Sequence, residues 1–193
     1  MKSNNVTQAI EVITGDERGM SHANILNLSQ PALGQFCLLA AERLLPIYEK
    51  FAEKFGLPSA ELLATHNSLF DLVIADGKVD VNLLSQRIDK LIPDTEDYSD
   101  PLADQAQCSA ICTSYCIDYL RSHDPEMANY AMEKVIEAID IYGYEGGETE
   151  EAVRQELDWQ QKIVTIINKK ELLSAEEIGQ LRLSNRMHAI PSV

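Results

Sequence analysis

Two charged residues, Glu42 and Arg43, stand just before a proline inside a predicted helix. Pro46 has no backbone N–H, so it leaves the carbonyl one turn back, that of Glu42, without its helical donor. A free carbonyl beside the Glu42 carboxylate could line a polar pocket. The simpler interpretation, which we favour, is an ion pair between Arg43 and an acid such as Asp158 or Glu156 that fixes one helix on another.

A histidine and an aspartate on two other predicted helices could add chemistry to such a pocket. His66 lies on the apolar face of its helix with Asp71 nearby in sequence, and imidazole plus carboxylate is the minimum for a general base. A lone histidine on such a face is more often a hydrogen-bonded core residue. Asp118 is the single charge in a long apolar stretch. If it is buried it needs a fixed partner, and at a boundary it is ordinary.

These residues define a pocket hypothesis with four candidate members: Glu42, Arg43, His66 and Asp118. The protein would then be a small-ligand or metal-binding protein or an enzyme, with its pocket near the Pro46 kink. The hypothesis predicts that Glu42, His66 and Asp118 converge within about 10 Å, the span of a small-molecule site. The sequence assigns no catalytic residue, no metal ligand and no cofactor.

Three cysteines recur every fourth residue along one predicted helix: Cys108, Cys112 and Cys116. The outer two are about 12 Å apart on a straight helix, too far for one zinc ion to bind all three sulfurs. The last two could contribute to a metal or redox site only if Cys37 joined them. We favour a row of small buried residues that lets a neighbouring helix approach closely, with reduced thiols.

The chain is strongly acidic, with 16 Lys plus Arg against 31 Asp plus Glu in 193 residues and a net charge of -15. This charge argues against nucleic-acid and membrane partners, because phosphates and anionic lipids would be repelled. Asp94, Asp97 and Asp100 form a candidate partner face. They either belong to a solvated surface or steer a basic protein partner toward the chain.

Apolar residues recur at helical spacing along most of the chain, and strand patterns are scarce. The sequence predicts an all-α, single-domain bundle of about seven helices around a central apolar helix at about 101–122. A helix over 31–55 should kink at Pro46. We expect an N-terminal arm or short helix plus loop over 1–29, the helical domain over 30–185, and a frayed tail over 186–193.

Four segments together resemble the YjaG-like bacterial family, number 416 among the domains of unknown function. They lie in order within about 30–169 and are Phe36-Cys37-Leu38-Leu39-Ala40-Ala41-Glu42-Arg43-Leu44-Leu45-Pro46-Ile47-Tyr48, Lys78-Val79-Asp80-Val81, Ile92-Pro93-Asp94-Thr95-Glu96-Asp97-Tyr98 and Glu156-Leu157-Asp158-Trp159-Gln160. The resemblance implies an all-α cytoplasmic bacterial protein. It supplies no established activity and no catalytic residues.

The absence of familiar catalytic motifs decides between the two functional hypotheses. The sequence has no Walker loop, dinucleotide fingerprint, nucleophile elbow or Cys-x2-Cys pair. It also has no apolar stretch long enough for a signal peptide or a spanning helix, which favours the cytoplasm. We therefore predict a non-enzymatic, acidic protein-interaction module. Its partner is another protein or a second copy, in a homodimer packed through the 1–29 arm.

Overall fold

Eight α-helices make up most of the part of the chain that the computed structural model describes, which is residue 25 and residues 27–75 and 79–193. The helices are α1 (Gln30–Glu42), α2 (Leu45–Phe55), α3 (Ala60–Ala75), α4 (Val81–Ile88), α5 (Pro101–Ser122), α6 (Pro125–Tyr144), α7 (Thr149–Lys170) and α8 (Ala175–Met187). A 3₁₀ turn, Thr95–Asp97, precedes α5. No strand occurs in these residues, so the predicted all-α bundle is confirmed.

Two helices share the centre of the bundle. The predicted central helix, α5, packs on α1, α2, α3, α4 and α6. The shorter α1 is buried without a break from Ala32 to Glu42 and contacts α3, α5, α6, α7 and α8. Its sequence carries no charge before Glu42, so it can be covered on all sides. The charged pair that follows is therefore carried into the interior.

The predicted 31–55 helix is broken into α1 and α2 at Arg43 and Leu44. The N–H groups of these two residues bond to carbonyls only three residues back, those of Ala40 and Ala41. Pro46 follows in the first turn of α2, where its missing N–H removes no helical bond within α2. The break turns the chain while keeping Glu42 and Arg43 inside the bundle.

The C-terminal tail is docked, which differs from the frayed tail that the sequence predicts over 186–193. Ile190 is 3% exposed, and its N–H donates to the carbonyl of Arg43 at 3.1 Å. The buried Gln105 side chain donates to Pro191 O at 3.2 Å and accepts from Val193 N at 3.0 Å. An apolar anchor and a buried amide thus offset the entropy of ordering the tail.

The predicted arm over 1–29 lies outside the described residues except for residue 25 and residues 27–29. In the part of the chain that is described, no helix is long and apolar enough to cross a membrane.

Candidate functional site at the end of helix α1

The Arg43 side chain is held in the structural role that the simpler interpretation predicts. It is 4% exposed and forms an ion pair with the fully buried Glu156 of α7. Its Nε donates to the carbonyl of His188 at 3.1 Å, and its guanidinium lies 4.6 Å from the Trp159 ring centroid. The other Glu156 oxygen accepts from Gln160 Nε2 at 2.8 Å. Both carboxylate oxygens of this acid are therefore satisfied.

Hydrogen bonds extend this network from α7 to α8 and back to α1. Trp159 Nε1 donates to Asn185 Oδ1 at 3.0 Å, and Asn185 Nδ2 donates to Leu39 O at 2.8 Å. Asn185 is itself buried. Three helices are thus joined through side chains whose polar groups find partners, as buried polar groups generally do.

Glu42, the preceding residue, is buried and pairs with a cation of α8. It is 1% exposed, and its Oε1 accepts from Arg182 Nε at 2.7 Å. Burial raises the pKa of the Glu42 carboxyl. Hydrogen bonds from Arg182 and Asn185, and the charges of Arg182 and Arg186, oppose that shift.

Arg182 of α8 links Glu42 to two residues of α3. Its terminal nitrogen donates to Asn67 Oδ1 at 2.5 Å, and its guanidinium lies 4.2 Å from the centroid of the Phe70 ring. The edge of the His66 ring packs on the same Phe70 at a centroid distance of 5.2 Å. Glu42, Arg182, Phe70 and His66 therefore form one continuous set of contacts.

His66 is completely buried. Burial lowers the pKa of the imidazole to about 3, the Arg182 charge adds to the shift, and a hydrogen bond with the Leu38 backbone opposes it. The ring is therefore neutral at pH 7, with one nitrogen as donor and the other as acceptor. Asp71, its suggested carboxylate neighbour, lies on the exposed surface of α3 and makes no catalytic pair with it.

Asp118 does not join this group, and the predicted convergence of all three residues is wrong. Its side chain is 27% exposed and pairs with Arg121 at 2.6 Å. The neighbouring Tyr119 donates to Gln30 O, at the first residue of α1, whereas Glu42 is the last. Thirteen helical residues span about 18 Å. Asp118 is therefore an ordinary boundary residue beside the opposite end of α1.

The sequence did not indicate Arg182, Asn67 or Asn185. Arg182 and Glu42 are separated by 140 positions, and no local pattern connects them. The capping box that marks the start of α8, in which Ser174 and Glu177 bond reciprocally, was the only signal on that helix. It locates the helix but not the face that Arg182 occupies.

The four cysteines are buried and free, which agrees with a row of small core residues. The Cys112 thiol donates to the carbonyl of Ala131 on α6 at 3.2 Å, so a small side chain allows the two helices to approach. Burial raises the pKa of Cys108 to about 12, which keeps it protonated. Among the described residues, no group of three or more His, Cys, Asp or Glu side chains is placed to hold a metal ion.

The three residues of the candidate partner face differ in their surroundings. Asp94 and Asp97 are exposed, and Asp94 caps the 3₁₀ turn by accepting from Glu96 N at 3.1 Å. Asp100 caps α5 through Leu102 N at 3.0 Å and pairs with Lys54, whose hydrogen bond lowers the Asp100 pKa.

An aromatic anchor fixes this turn on the bundle. The edge of Tyr98 packs on Phe51 and Phe55 of α2, at centroid distances of 5.0 and 4.8 Å. Gln107 Nε2 donates to the carbonyl of Pro93 at 2.8 Å on the other side of the turn. The exposed carboxylates Asp94, Glu96 and Asp97, here called the acidic ridge, therefore stand on an anchored turn.

Comparisons with known proteins identify the family but not an activity. The crystal structure of a DUF416 family protein from Shewanella baltica OS155 is similar, with a TM-score of 0.81 over 89% of this chain and 97% of that one. At 16% identity this likeness shows the fold alone. No curated protein matches the sequence. The sequence model described as "Protein of unknown function (DUF416)" matches residues 21–190, and the chain therefore belongs to the DUF416 family of proteins of unknown function.

Proposed function

We propose that the protein is a non-enzymatic interaction module that binds a basic protein through the acidic ridge. The proposal rests on the exposure of the three carboxylates and on their lack of ion pairs with other described residues. Asp94, Glu96 and Asp97 are exposed or at the surface of an anchored turn, and none forms an ion pair with another described residue. A turn whose backbone is already anchored loses little backbone entropy when a partner binds.

The charge of the whole chain supports a basic partner. Eight lysine and arginine side chains in the described residues form ion pairs with acids of the same chain. At least eight of the 16 basic residues are thus engaged internally, and the net charge is -15. The resulting negative field accelerates encounter with a positively charged surface, by about tenfold or more at low salt.

The same field argues against self-association through the ridge. A second copy carries the same negative charge, and like charges placed together across an interface are unfavourable. The proposal therefore commits to a different polypeptide whose docking surface is rich in lysine and arginine.

Zero-length cross-linking tests the proposal directly. The tagged protein is isolated from its host and treated with a carbodiimide, which joins carboxylates to amines in contact. The tag is placed at the N-terminus because the C-terminal residues are docked. We expect lysine peptides of one partner joined to Asp94, Glu96 or Asp97. Cross-links that map to other acids and avoid the ridge contradict the proposal.

Two variants with the same change in net charge distinguish the effect of the acidic ridge on binding from the effect of overall charge. Asp94→Asn, Glu96→Gln and Asp97→Asn together should slow association with the cross-linked partner by about tenfold at low salt. The control carries Glu145→Gln, Glu148→Gln and Glu150→Gln, three exposed acids elsewhere that give the same change in net charge. We expect a change of less than about threefold in the control. Equal losses in both variants overturn the assignment to the ridge.

A further inference from the structure

The docked tail is held on the bundle through its backbone. Residues 189–193 form no helix or strand. The N–H of Ile190 donates to the carbonyl of Arg43 at 3.1 Å. Gln105 Nε2 donates to Pro191 O at 3.2 Å, and Gln105 Oε1 accepts from Val193 N at 3.0 Å. Backbone bonds of this kind are also how proteins hold the peptide segments of other proteins.

The Gln105 amide is fixed by a bond that does not involve the tail. The residue is fully buried on α5, and its Nε2 also donates to the carbonyl of Ala138 on α6 at 2.7 Å. This bond within the bundle sets the plane of the amide, so its second N–H and its oxygen stay aimed at the tail position. A donor and an acceptor that are oriented beforehand lower the cost of binding a peptide backbone.

Few side chains of the tail take part in its recognition. Ile190, at 3% exposed, is the one buried residue of 189–193. Lys50 of α2 donates to Ser192 Oγ at 3.0 Å and to Val193 O at 2.5 Å, at the exposed edge of the contact. Pro191 occupies a position that needs no N–H donor. Any segment with an aliphatic residue followed by proline can therefore make the same main contacts.

The tail can leave its position without disturbing a helix. His188 belongs to the end of α8, since its N–H bonds to the carbonyls of Ser184 and Asn185 and its own carbonyl accepts from Arg43 Nε. Ala189 is the single residue between this fixed end and the docked segment. Rotation at Ala189 releases residues 190–193 and breaks no helical hydrogen bond, which is a local opening rather than unfolding.

We propose that the Arg43 carbonyl, the Gln105 amide and Lys50 form a binding site for a peptide segment of a partner protein that carries an aliphatic residue followed by proline. The chain's own residues 190–193 occupy this site until the partner displaces them. A segment tethered by one residue competes at an effective concentration on the order of millimolar or above, so the tail sets a threshold for binding. The site does not depend on the acidic ridge or on its proposed partner.

Amide hydrogen exchange of the unsubstituted full chain tests whether the tail opens by itself. We expect the amide of Ile190 to exchange at least about 100-fold faster than that of Leu39 in the buried α1. Its rate should not change on addition of about 1 M urea, because a local opening exposes little surface. A tail that served only to complete the core would open together with α1.

A peptide titration tests whether the site accepts a segment from outside. The probe is a synthetic peptide of sequence His-Ala-Ile-Pro-Ser-Val with a fluorescent group at its first residue. It is added to the unsubstituted chain and to Ile190→Asp, in which a charge opposes burial of the tail. Because the competitor is weakened, Ile190→Asp should bind the peptide at least about tenfold more tightly than the unsubstituted chain does.

Two controls tie the response to this site. A peptide with aspartate in place of isoleucine should not bind, and Leu183→Asp, the same kind of change at a 67% exposed position of α8, should bind the first peptide as the unsubstituted chain does. The proposal is overturned if Ile190→Asp gains no affinity, if Leu183→Asp gains as much, if both peptides bind alike, or if Ile190 exchanges as slowly as Leu39.

Discussion

Glu42 and Arg43 are neighbours in sequence, both buried and both ion-paired, yet their surroundings are opposite. Arg43 and its partner Glu156 are completed by the His188 carbonyl, the Trp159 ring and the Gln160 amide. Glu42 is paired with Arg182, which is partly exposed and also contacts Asn67 and Phe70 of α3. The Arg43 pair is therefore enclosed in the interior, whereas the Glu42 pair reaches the solvent through Arg182.

This difference in exposure predicts a difference in stability. Removing one member of a fully buried ion pair leaves an uncompensated charge in the interior. A pair with one partly exposed member is screened by solvent and contributes less. We infer that the Arg43 half holds α1, α7 and the tail together, while the Glu42 half joins α1 to α8 with a smaller effect on stability.

The largest expected effect on stability comes from breaking the buried ion pair of Arg43 and Glu156. Arg43→Ala leaves Glu156 buried without its cation and should lower the free energy of unfolding by about 3–5 kcal/mol. Urea denaturation at about pH 7 measures the change. The double variant Arg43→Met with Glu156→Leu should recover most of the loss, because no charge stays buried. A loss of less than about 1 kcal/mol for Arg43→Ala would contradict a structural role.

The next effect is a dependence of stability on pH that comes from His66. Its pKa is about 3 in the folded protein against a usual 6.5, so the unfolded chain binds the extra proton first as pH falls. The contribution of the neutral ring is fully present above pH 6.5 and is lost progressively between 6.5 and about 3.

Between about pH 7 and 5 this loss amounts to about 2 kcal/mol. The Glu42 carboxyl, whose pKa is raised, acts in the opposite direction, since acid favours its native protonated form. The His66→Phe variant removes the titrating ring. The free energy of unfolding of the unsubstituted chain, compared with that of this variant, should therefore fall by about 2 kcal/mol between about pH 7 and 5. If the two free energies differ by the same amount at both pH values, the ring is not buried and neutral.

A smaller change is expected at Glu42. Glu42→Gln keeps the shape of the side chain and removes a charge that burial disfavours, at the expense of the charge attraction to Arg182. These effects oppose each other, so the free energy of unfolding should change by less than about 1 kcal/mol. Thermal unfolding compared with Arg43→Ala checks the contrast. Equal losses for the two variants would contradict the difference between the Arg43–Glu156 pair and the Glu42–Arg182 pair.

The smallest effect is expected for Asp118→Asn. The ion pair with Arg121 lies at the surface on one turn of α5 and is worth at most about 0.5 kcal/mol. The melting temperature should stay within about 2 °C of the unsubstituted chain. A larger shift would mean that Asp118 has a buried partner and belongs to a site after all.

The sequence predicted what depends on local chemistry. Pro46 indicated a kink within one helix over 31–55, and the structure has a break just before it, at Arg43 and Leu44. The pairing of Arg43 with Glu156 was foreseen as one of two options because a buried arginine needs an acid. The spacing of Cys108, Cys112 and Cys116 indicated burial, and all three are buried.

What the sequence missed depends on contacts between distant segments. Asp118 was singled out as the one charge in a long apolar stretch and placed with Glu42, but nothing local shows which ends of α1 and α5 meet. Arg182 and the docked tail were missed for the same reason. Their partners, Glu42 and Gln105, are more than 80 positions away.

Urea denaturation of Arg43→Ala beside Glu42→Gln at about pH 7 tests the central claim most directly. Our account predicts a loss of about 3–5 kcal/mol in the free energy of unfolding for the first variant and less than about 1 kcal/mol for the second. Similar losses for both variants would contradict it.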